Sequence, residues 1–340
     1  MADLVRVVRT EEAEEAGLQR IAPTPDQLIN GFLDATDIRL KSKDTYRKAL
    51  KSFFSFVAGS SSMDLTREKI LAYKESLKSR GLSSYTISAY LSAVRRFFEY
   101  TESIKVYPNI AKGVKGAKAP RGFKKDSLTP DQVLDLLGHV DRSTIQGKRD
   151  YALLNLLVRT ALRTIEIARA DIGDMRQEGG DALLYIQGKG RDAKDDFVLL
   201  TEDTLRPIRE YIATRGKVSD SSPLFSSLSD RNRDQRLSTR TISAIAKNNF
   251  MEIGLVSKRI SAHSLRHTAI TLSLKSGASI QEAQALARHS SVNTTMGYAH
   301  NIERLKNAPE RRIDALLSGL QDKRSRDSRE SIPSRPEEAE

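Results

Sequence analysis

The chain has 340 residues, no cysteine, and 56 Lys and Arg against 44 Asp and Glu, which gives a formal net charge of +12. This length accommodates two domains with separate cores, while the missing cysteines exclude disulfides and thiolate metal sites and fit a reducing cytoplasm. No segment approaches the roughly 20 consecutive apolar residues that span a bilayer, and we expect no secretory signal. The excess of basic residues favours a polyanionic partner such as nucleic acid, although charge alone leaves membrane surfaces and acidic proteins open.

The N-terminal part of the chain predicts a compact four-helix domain. Residues 1–22 carry mixed charge and are expected to form a flexible lead. Residues 23–111 then hold four stretches in which apolar residues recur at the three- and four-residue spacing typical of amphipathic helices. Ser42 and Ser83 are predicted to N-cap the second and fourth helices, and Gly81 is predicted to end the third.

A basic segment follows this domain and is predicted to be a linker, residues 112–126. The interval from Lys112 to Lys125 contains three glycines, one proline and six Lys or Arg, but no acidic residue. Such a composition predicts a linker. Its charge fits a strap along a phosphate backbone, although a merely solvated linker has the same composition.

The remaining chain predicts a mixed α+β domain over residues 127–320. Thr129 and Pro130 mark a helix start, and the apolar run from Tyr151 to Val158 indicates a buried helix. Two strands, Ala182–Gln187 and Phe197–Leu200, form a small β-hairpin or part of a three-stranded sheet. The fold is therefore mainly α with two domains, and the charged tail, residues 321–340, is expected to be disordered.

An arginine lies directly after the predicted buried helix. Arg163 is flanked by apolar residues, and Glu166 follows three positions later. A guanidinium suits a phosphate clamp because it donates two parallel hydrogen bonds and keeps its charge, and Glu166 is placed to orient it. The spacing is equally that of a structural ion pair on one helix face.

Four of the five histidines lie in or just beyond the segment 263–298. His263 and Arg266 share a face of a predicted helix, and His267 lies at i+4 from His263. His263 and Arg266, followed by His289 and Tyr298, are side chains that in this order can hold a phosphate and attack it. Taken alone, the trio fits a buried structural histidine or a zinc pair, although no thiol or suitably placed carboxylate completes a zinc site.

A tyrosine and a lysine complete the groups that a metal-free attack on a phosphodiester requires. Tyr298 lies nine residues after His289, and Lys189 lies in a Gly-Lys-Gly turn. A phenol has a reference pKa of about 10, so Tyr298 needs neighbouring positive charge to act as a nucleophile. Lys189 is placed to act as an acid. Taken singly, most tyrosines are core residues and most turn lysines are solvated.

Four segments together, residues 160–166, 188–190, 263–267 and 286–298, resemble the tyrosine recombinase family, which includes phage integrases and Xer recombinases. The resemblance covers roughly residues 25–320. It implies a site-specific recombinase that forms a 3′-phosphotyrosyl intermediate and needs no metal, cofactor or ATP. The implied roles are a phosphate clamp for Arg163 and Arg266, a base or hydrogen-bond donor for His263, an oxygen ligand for His289, an acid for Lys189, a nucleophile for Tyr298 and structural support for Glu166.

The resemblance also implies an architecture. A SAM-like core-binding domain and a DNA breaking–rejoining catalytic domain would clamp double-stranded DNA, and four protomers would act on two sites in the cytoplasm without a membrane partner. The major-groove readers expected on polar helix faces are Lys43, Arg47, Arg95 and Arg240. A late apolar stripe would dock onto a neighbouring protomer or pack on its own domain; it consists of Ile313, Leu316 and Leu317.

This chain departs from the family pattern at three places. Arg288 and Ala161 stand where the family usually or often has glycine, and the turn after Gly190 is longer than usual, which leaves Lys194 as an alternative acid. The N-terminal extension, Arg288 and the charged tail favour a mobile-element integrase over an Xer-like dimer resolvase. A DNA-binding regulator without the reaction and a type IB topoisomerase-like enzyme stay open.

Overall fold

The computed structural model describes residues 24–60, 64–118, 125–188 and 190–330. The chain divides into two compact units between Arg121 and Gly122, inside the basic segment. The expectation of a mainly helical, two-domain fold with one small sheet is confirmed. Within the described ranges, no helix is both long enough and apolar enough to cross a membrane.

The described part of the N-terminal unit contains four helices around an aromatic core. The helices are α1 (Pro25–Ala35), α2 (Leu40–Ala58), α3 (Arg67–Ser79) and α4 (Ser84–Ser103). Their apolar stripes meet in one buried cluster, in which Phe53 and Phe98 pack edge to face with ring centroids 6.0 Å apart. Edge-to-face packing adds to the stabilisation that burial of these rings provides.

The helix boundaries of this unit test three sequence predictions. Ser83 does cap α4, because its side chain accepts a hydrogen bond from the Thr86 amide. Gly81 adopts the predicted left-handed conformation just beyond α3, with φ of 70°. Ser42 does not cap α2, because that helix already begins at Leu40 and the Ser42 amide donates to the Arg39 carbonyl inside the first turn.

The first residues of the predicted linker pack against this unit. Ala111 and Val114 are buried in its core. The Lys74 ammonium donates to the Lys115 carbonyl over 2.9 Å, and the Arg95 guanidinium donates to the Val114 carbonyl over 3.2 Å. The small apolar residues between the lysines explain this packing, so residues 112–118 belong structurally to the N-terminal unit.

The C-terminal unit is built on a buried central helix. Its helices are α5 (Pro130–His139), α6 (Ile145–Thr160), α7 (Thr164–Arg169), α8 (Glu202–Ala213), α9 (Thr239–Glu252), α10 (Ala262–Lys275), α11 (Ile280–Ala287), α12 (Val292–Lys306) and α13 (Pro309–Glu330). Thr129 caps α5 as predicted, in a capping box with Gln132. Every residue from Ala152 to Val158 in α6 is buried, which confirms the predicted core helix. Helices α8 and α10 pack against α6.

The sheet of this unit has three antiparallel strands in chain order: β1 (Met175–Glu178), β2 (Asp181–Ile186) and β3 (Asp196–Leu199). The two predicted strands agree with β2 and β3 to within one residue. Leu184 occupies the centre, where it pairs with Met175 on one side and Val198 on the other. The sheet covers one side of the core with Leu184 and Ile186, both fully buried.

The last helix extends further than the sequence predicts. Disorder was expected from Gln321 onward, but α13 continues to Glu330 because the sequence Gln321–Glu330 contains neither glycine nor proline to interrupt it. The late apolar stripe lies on this helix, and its members are solvent-exposed, with 54% for Ile313, 65% for Leu316 and 54% for Leu317. Packing of the stripe on its own domain is therefore not observed.

Candidate active site

The turn between α6 and α7 positions Arg163. Helix α6 ends at Ala161, which adopts a left-handed conformation with φ of 51° and so lets the chain reverse over two residues. Glu166, which is fully buried, accepts from the Arg163 amide over 2.8 Å and from its guanidinium over 2.7 Å. One carboxylate therefore fixes both the backbone and the side chain of Arg163, which keeps 27% of its side chain exposed.

Helix α10 carries the next three groups on its first two turns. Arg266 is buried, and its two terminal nitrogens donate to the carbonyls of Ala161 and Ala287. These bonds join the ends of α6 and α11 to α10. Burial, together with the charges of Arg163 and Arg288, lowers the pKa of Arg266 to about 9, so the group stays charged at neutral pH.

His263 and His267 lie edge to face on this helix, with ring centroids 4.7 Å apart. His263 is exposed at the surface, whereas His267 is buried. Burial and the positive charges of Arg266 and Arg163 lower the pKa of His263. The pKa of His267 is lowered to about 4, mainly by burial, so its imidazole is neutral at physiological pH and retains one nitrogen that accepts a hydrogen bond.

Arg288, the departure noted in the sequence, lies at the C-terminal end of α11 in a left-handed conformation with φ of 52°. Its guanidinium turns inward and donates to the Leu286 carbonyl at 2.8 Å, the Ala161 carbonyl at 3.0 Å and the Glu166 carboxylate at 3.3 Å. Its backbone carbonyl accepts from the Arg163 guanidinium at 3.3 Å. Arg288 thus contacts both Arg163 and the Glu166 carboxylate that positions it.

His289 is held by one contact of its imidazole ring and one contact of its backbone carbonyl. Its Nδ1 lies 3.0 Å from the hydroxyl of Thr295, which is fully buried, and its carbonyl accepts from the Gln284 amide at 3.0 Å. Burial and the charges of Arg266, Arg163 and Arg288 lower its pKa to about 4. The ring is therefore a neutral hydrogen-bonding group at neutral pH.

Tyr298 lies on α12 with only 4% of its surface exposed. Its ring packs among small apolar residues, Ala161, Ala269, Ile270 and Ala287. Its hydroxyl lies 2.5 Å from Nδ1 of His267, and its ring stacks on His289 with a centroid distance of 6.2 Å. Burial raises the pKa of Tyr298 to about 12, and the Arg266 charge opposes that rise.

The structure therefore brings together five of the six residues that the sequence singles out for catalysis. These are Arg163, His263, Arg266, His289 and Tyr298. The site contains three guanidinium groups, three imidazoles and one phenol, and the Glu166 carboxylate contacts two of the arginines. Such a site favours an anion, and its donors suit the oxygens of a phosphate.

The two candidate acids have different outcomes. Lys189 lies outside the described residues. The Lys194 ammonium is bound by Asp171 at 2.6 Å and Asp174 at 2.5 Å. Burial alone would lower the pKa of Lys194, but these two carboxylates outweigh it and raise the pKa, which makes Lys194 a poor proton donor.

The four expected groove readers are spread over both units. Lys43 is half-buried on α2, and Arg47 lies 3.5 Å from the Asp44 carboxylate. Arg95 is engaged by the Val114 carbonyl, so base reading by this residue requires that contact to open. Arg240 is exposed on α9.

Two residues of the site were not assigned a catalytic part from the sequence. His267 was considered only as a structural or metal-binding residue, and Thr295 was not singled out. The i+4 spacing from His263 was the available signal for His267, whereas nothing in the local sequence indicates that Thr295 supports His289. Within the described ranges, no group of three or more His, Asp or Glu is arranged to hold a metal ion.

Two protein-family models and known tyrosine recombinases are similar to this chain. The model of the phage integrase family matches residues 126–304, and that of the phage integrase N-terminal SAM-like domain matches residues 26–104. A tyrosine recombinase of Synechococcus elongatus, Synpcc7942_B2651, is 32% identical over 230 residues, which cover 67% of this chain and 71% of the relative.

Two solved structures share the fold at low sequence identity. The XerH site-specific recombinase bound to a palindromic difH substrate in a post-cleavage complex aligns with a TM-score of 0.67 at 22% identity, over 84% of this chain and 85% of that one. The integrase of the Tn1549 transposon in complex with transposon right end DNA aligns with a TM-score of 0.66 at 16% identity, over 81% and 94%.

Proposed function

Because the chain belongs to the phage integrase family of tyrosine recombinases, we propose that it is a site-specific recombinase that cleaves and rejoins double-stranded DNA through a 3′-phosphotyrosyl intermediate. One observation carries the proposal: the Tyr298 hydroxyl lies in a buried cluster of arginines and neutral histidines. We propose that it acts on DNA in the cytoplasm.

The chemistry follows from the geometry of the clamp. Arg266 uses one N–H of each terminal nitrogen on carbonyls, and a guanidinium has five N–H groups, so donors are left for the nonbridging phosphate oxygens. Arg163 is oriented by Glu166 and partly exposed, as a second clamp requires. Tyr298 attacks phosphorus, His263 and His289 hold phosphate oxygens, and the departing 5′ oxygen takes a proton from Lys189.

The covalent link conserves the energy of the phosphodiester, because the freed 5′ hydroxyl attacks the phosphotyrosine to restore the bond. No ATP is consumed in this cycle, and the arginines supply the charge stabilisation that metal ions give in two-metal enzymes. We propose that the reaction is metal-independent and that four protomers act on two DNA sites.

Covalent trapping tests this proposal. Nicked duplexes that tile the DNA on both sides of the gene are incubated with the protein in EDTA, and a denaturation-resistant adduct is measured beside Tyr298→Phe. Tyr185→Phe is a matched control, because the Tyr185 hydroxyl contacts Glu178 on the sheet. We expect adducts with the wild type and the control but not with Tyr298→Phe. DNA binding without an adduct would indicate a regulator on this fold.

The acid is assigned by a second substrate in which sulfur replaces the bridging 5′ oxygen. A thiolate leaves without protonation, so the sulfur substrate rescues a variant that lacks the general acid. We expect rescue of Lys189→Ala and none of Lys194→Ala, because Lys194 is bound to Asp171 and Asp174. The reverse result would transfer the acid role to Lys194.

Two biological roles use this same chemistry. The arginine at 288 and the charged residues 1–22 and 321–340 favour a mobile-element integrase, whereas relatives named XerC favour a dimer resolvase. Recombination between two sites on one plasmid, and between an excised circle and a target, separates them. We propose the integrase role and expect joining of non-identical sites. Resolution of plasmid dimers with no such joining would support the resolvase. Relaxation of supercoils without strand exchange would instead favour a topoisomerase-like enzyme.

A further inference from the structure

The nucleophile of the proposed reaction has a direct imidazole partner. Nδ1 of His267 lies 2.5 Å from the Tyr298 hydroxyl, and both residues are buried. We propose that His267 is a further catalytic residue, which accepts the phenolic proton as Tyr298 attacks the phosphate and returns it during rejoining. This inference rests on the proposed recombinase function and assigns the group that activates its nucleophile.

The positions of the other histidines support this assignment. His289 directs its Nδ1 to the Thr295 hydroxyl and presents the face of its ring to Tyr298. His263 is exposed and contacts the edge of His267. The Nδ1 of His289 is therefore engaged by Thr295, whereas the Nδ1 of His267 lies at the phenolic oxygen itself.

The surroundings of His267 keep its imidazole neutral before DNA binds. Burial, together with neighbouring positive or titratable groups, lowers the pKa of His267 to about 4, and the Asp126 carboxylate opposes this decrease. The groups that face it from its own helix and from the elements packed against it are His263, Arg266, His289, Asp126 and Tyr298. A neutral ring that carries its proton on Nε2 offers the Nδ1 lone pair to the phenol.

Binding of a phosphodiester changes this balance in the required direction. The phosphate brings negative charge to Arg266, whose positive charge lowers the pKa of His267, so the proton affinity of His267 rises as the attack proceeds. The arginines are also placed to stabilise the charge that develops on the transferring group.

The step is balanced in atoms and electrons. A bond forms between the Tyr298 oxygen and phosphorus, and the bond between phosphorus and the 5′ oxygen breaks. The phenolic proton moves to Nδ1 of His267, and the electron pair of the broken bond remains on the 5′ oxygen, which takes a proton from Lys189. In rejoining, the 5′ hydroxyl returns its proton to Lys189 and its oxygen attacks phosphorus. The bond between phosphorus and the Tyr298 oxygen breaks, and the His267 proton returns to that oxygen.

The test uses His267→Asn, because an asparagine oxygen accepts a hydrogen bond near the Nδ1 position but does not hold a proton at neutral pH. Single-turnover adduct formation is measured with saturating full-length protein on the nicked duplexes, with oxygen or sulfur at the bridging 5′ position. His267→Ala is run beside it. His300→Asn is the matched control, since His300 is exposed two residues after Tyr298.

We expect His267→Asn to slow adduct formation by about 10²–10⁴-fold, the usual range for loss of a general base, on the oxygen and the sulfur substrate alike. Its rate should rise about tenfold per pH unit between about pH 7 and 9, because only the ionised fraction of Tyr298 reacts. The wild-type rate should be flat over that range. DNA affinity and the control should stay within about twofold of the wild type.

Three results would overturn the inference. Reaction of His267→Asn at the wild-type rate would show that an acceptor at this position suffices and that no proton is transferred. Equal losses in Asn and Ala with the flat wild-type pH profile would make His267 structural. Rescue of His267→Asn by the sulfur substrate would place the defect in leaving-group protonation. A wild-type protein that forms no Tyr298 adduct on any duplex would instead refute the proposed function.

Discussion

Replacement of Arg288 separates two contributions to the free energy of unfolding, that of its side-chain contacts and that of its left-handed backbone conformation. The guanidinium donates to the Leu286 and Ala161 carbonyls and to the buried Glu166 carboxylate, at 2.8, 3.0 and 3.3 Å. Hydrogen bonds that involve a charged group contribute about 1.5–3 kcal/mol each, and loss of one partner of a buried ion pair costs about 3–5 kcal/mol.

The expected loss lies at the low end of these values. Glu166 keeps Arg163 as a partner, and the Ala161 carbonyl keeps Arg266. The Arg288 Nε is buried without an acceptor among the described residues, so part of its desolvation is uncompensated in the wild type. We therefore expect Arg288→Ala to lower the free energy of unfolding by about 3 kcal/mol.

Glycine at the same position should be less harmful than alanine. With φ of 52°, residue 288 occupies a region that costs an L-residue about 1–2 kcal/mol and costs glycine little. Arg288→Gly should therefore lower the free energy of unfolding by only about 2 kcal/mol. Arg80 is a matched control, because it also ends a helix but has φ of −73°, so Arg80→Gly should be less stable than Arg80→Ala.

Native-state hydrogen exchange measures these differences in each unit of the full-length chain. The amides of the buried helix α6 report on the C-terminal unit and those of α4 report on the Arg80 control, since core amides exchange through global opening of their unit. If Arg288→Ala proved as stable as Arg288→Gly, the left-handed strain inferred here would be refuted. Losses below about 1 kcal/mol in both variants would show that the guanidinium contacts contribute little.

Three further predictions concern the same unit. His267 and His289 have folded pKa values of about 4 against about 6.5 when unfolded, so the unfolded chain binds more protons between these values. The free energy of unfolding should fall by up to about 1.4 kcal/mol per pH unit for each histidine as the pH drops from about 6.5 to 4. Urea titration at several pH values measures this fall, and a free energy of unfolding that does not change with pH would contradict the buried neutral rings. Glu166→Gln should destabilise the unit by about 3 kcal/mol and slow adduct formation, because the carboxylate positions both Arg163 and Arg288; wild-type rates would remove its supporting role. Lys194→Met should lower the melting temperature by several degrees, while its rate of adduct formation per folded molecule stays within about threefold of the wild type. A decrease in that rate of about 100-fold or more, as removal of a general acid causes, would contradict the structural role of Lys194.

The sequence predicts those parts of the fold that depend on local spacing. The apolar run of α6 and the cap at Thr129 were both predictable, since each pattern extends over only a few residues. Strand β1 was not placed, because Met175–Glu178 is mostly polar and shows no alternation of a half-buried strand. Ser42 was misassigned because a serine in the first turn of a helix and one at its cap look alike in sequence.

The contacts within the site could not be predicted from local spacing either. Its residue types were recognisable from four ordered segments, but their mutual contacts join residues that are far apart in the chain. Arg266 reaches the carbonyl of Ala161 across 105 residues, and Tyr298 reaches His267 across 31. No local pattern encodes how α10 and α12 pack, so the partner of the nucleophile emerges only when both helices are placed.

Ala161 and Arg288, the two left-handed residues at positions where the family resemblance predicts glycine, are not independent of each other. The Arg288 guanidinium donates to the carbonyl of Ala161, so the side chain introduced at one position binds the peptide group of the other. A substitution at either place therefore has an effect that depends on the residue at the second, which is epistasis between positions 127 residues apart. Mutational paths between this sequence and the glycine-bearing family pattern are consequently constrained in order, and effects measured for either change in a relative will not transfer to this background by addition.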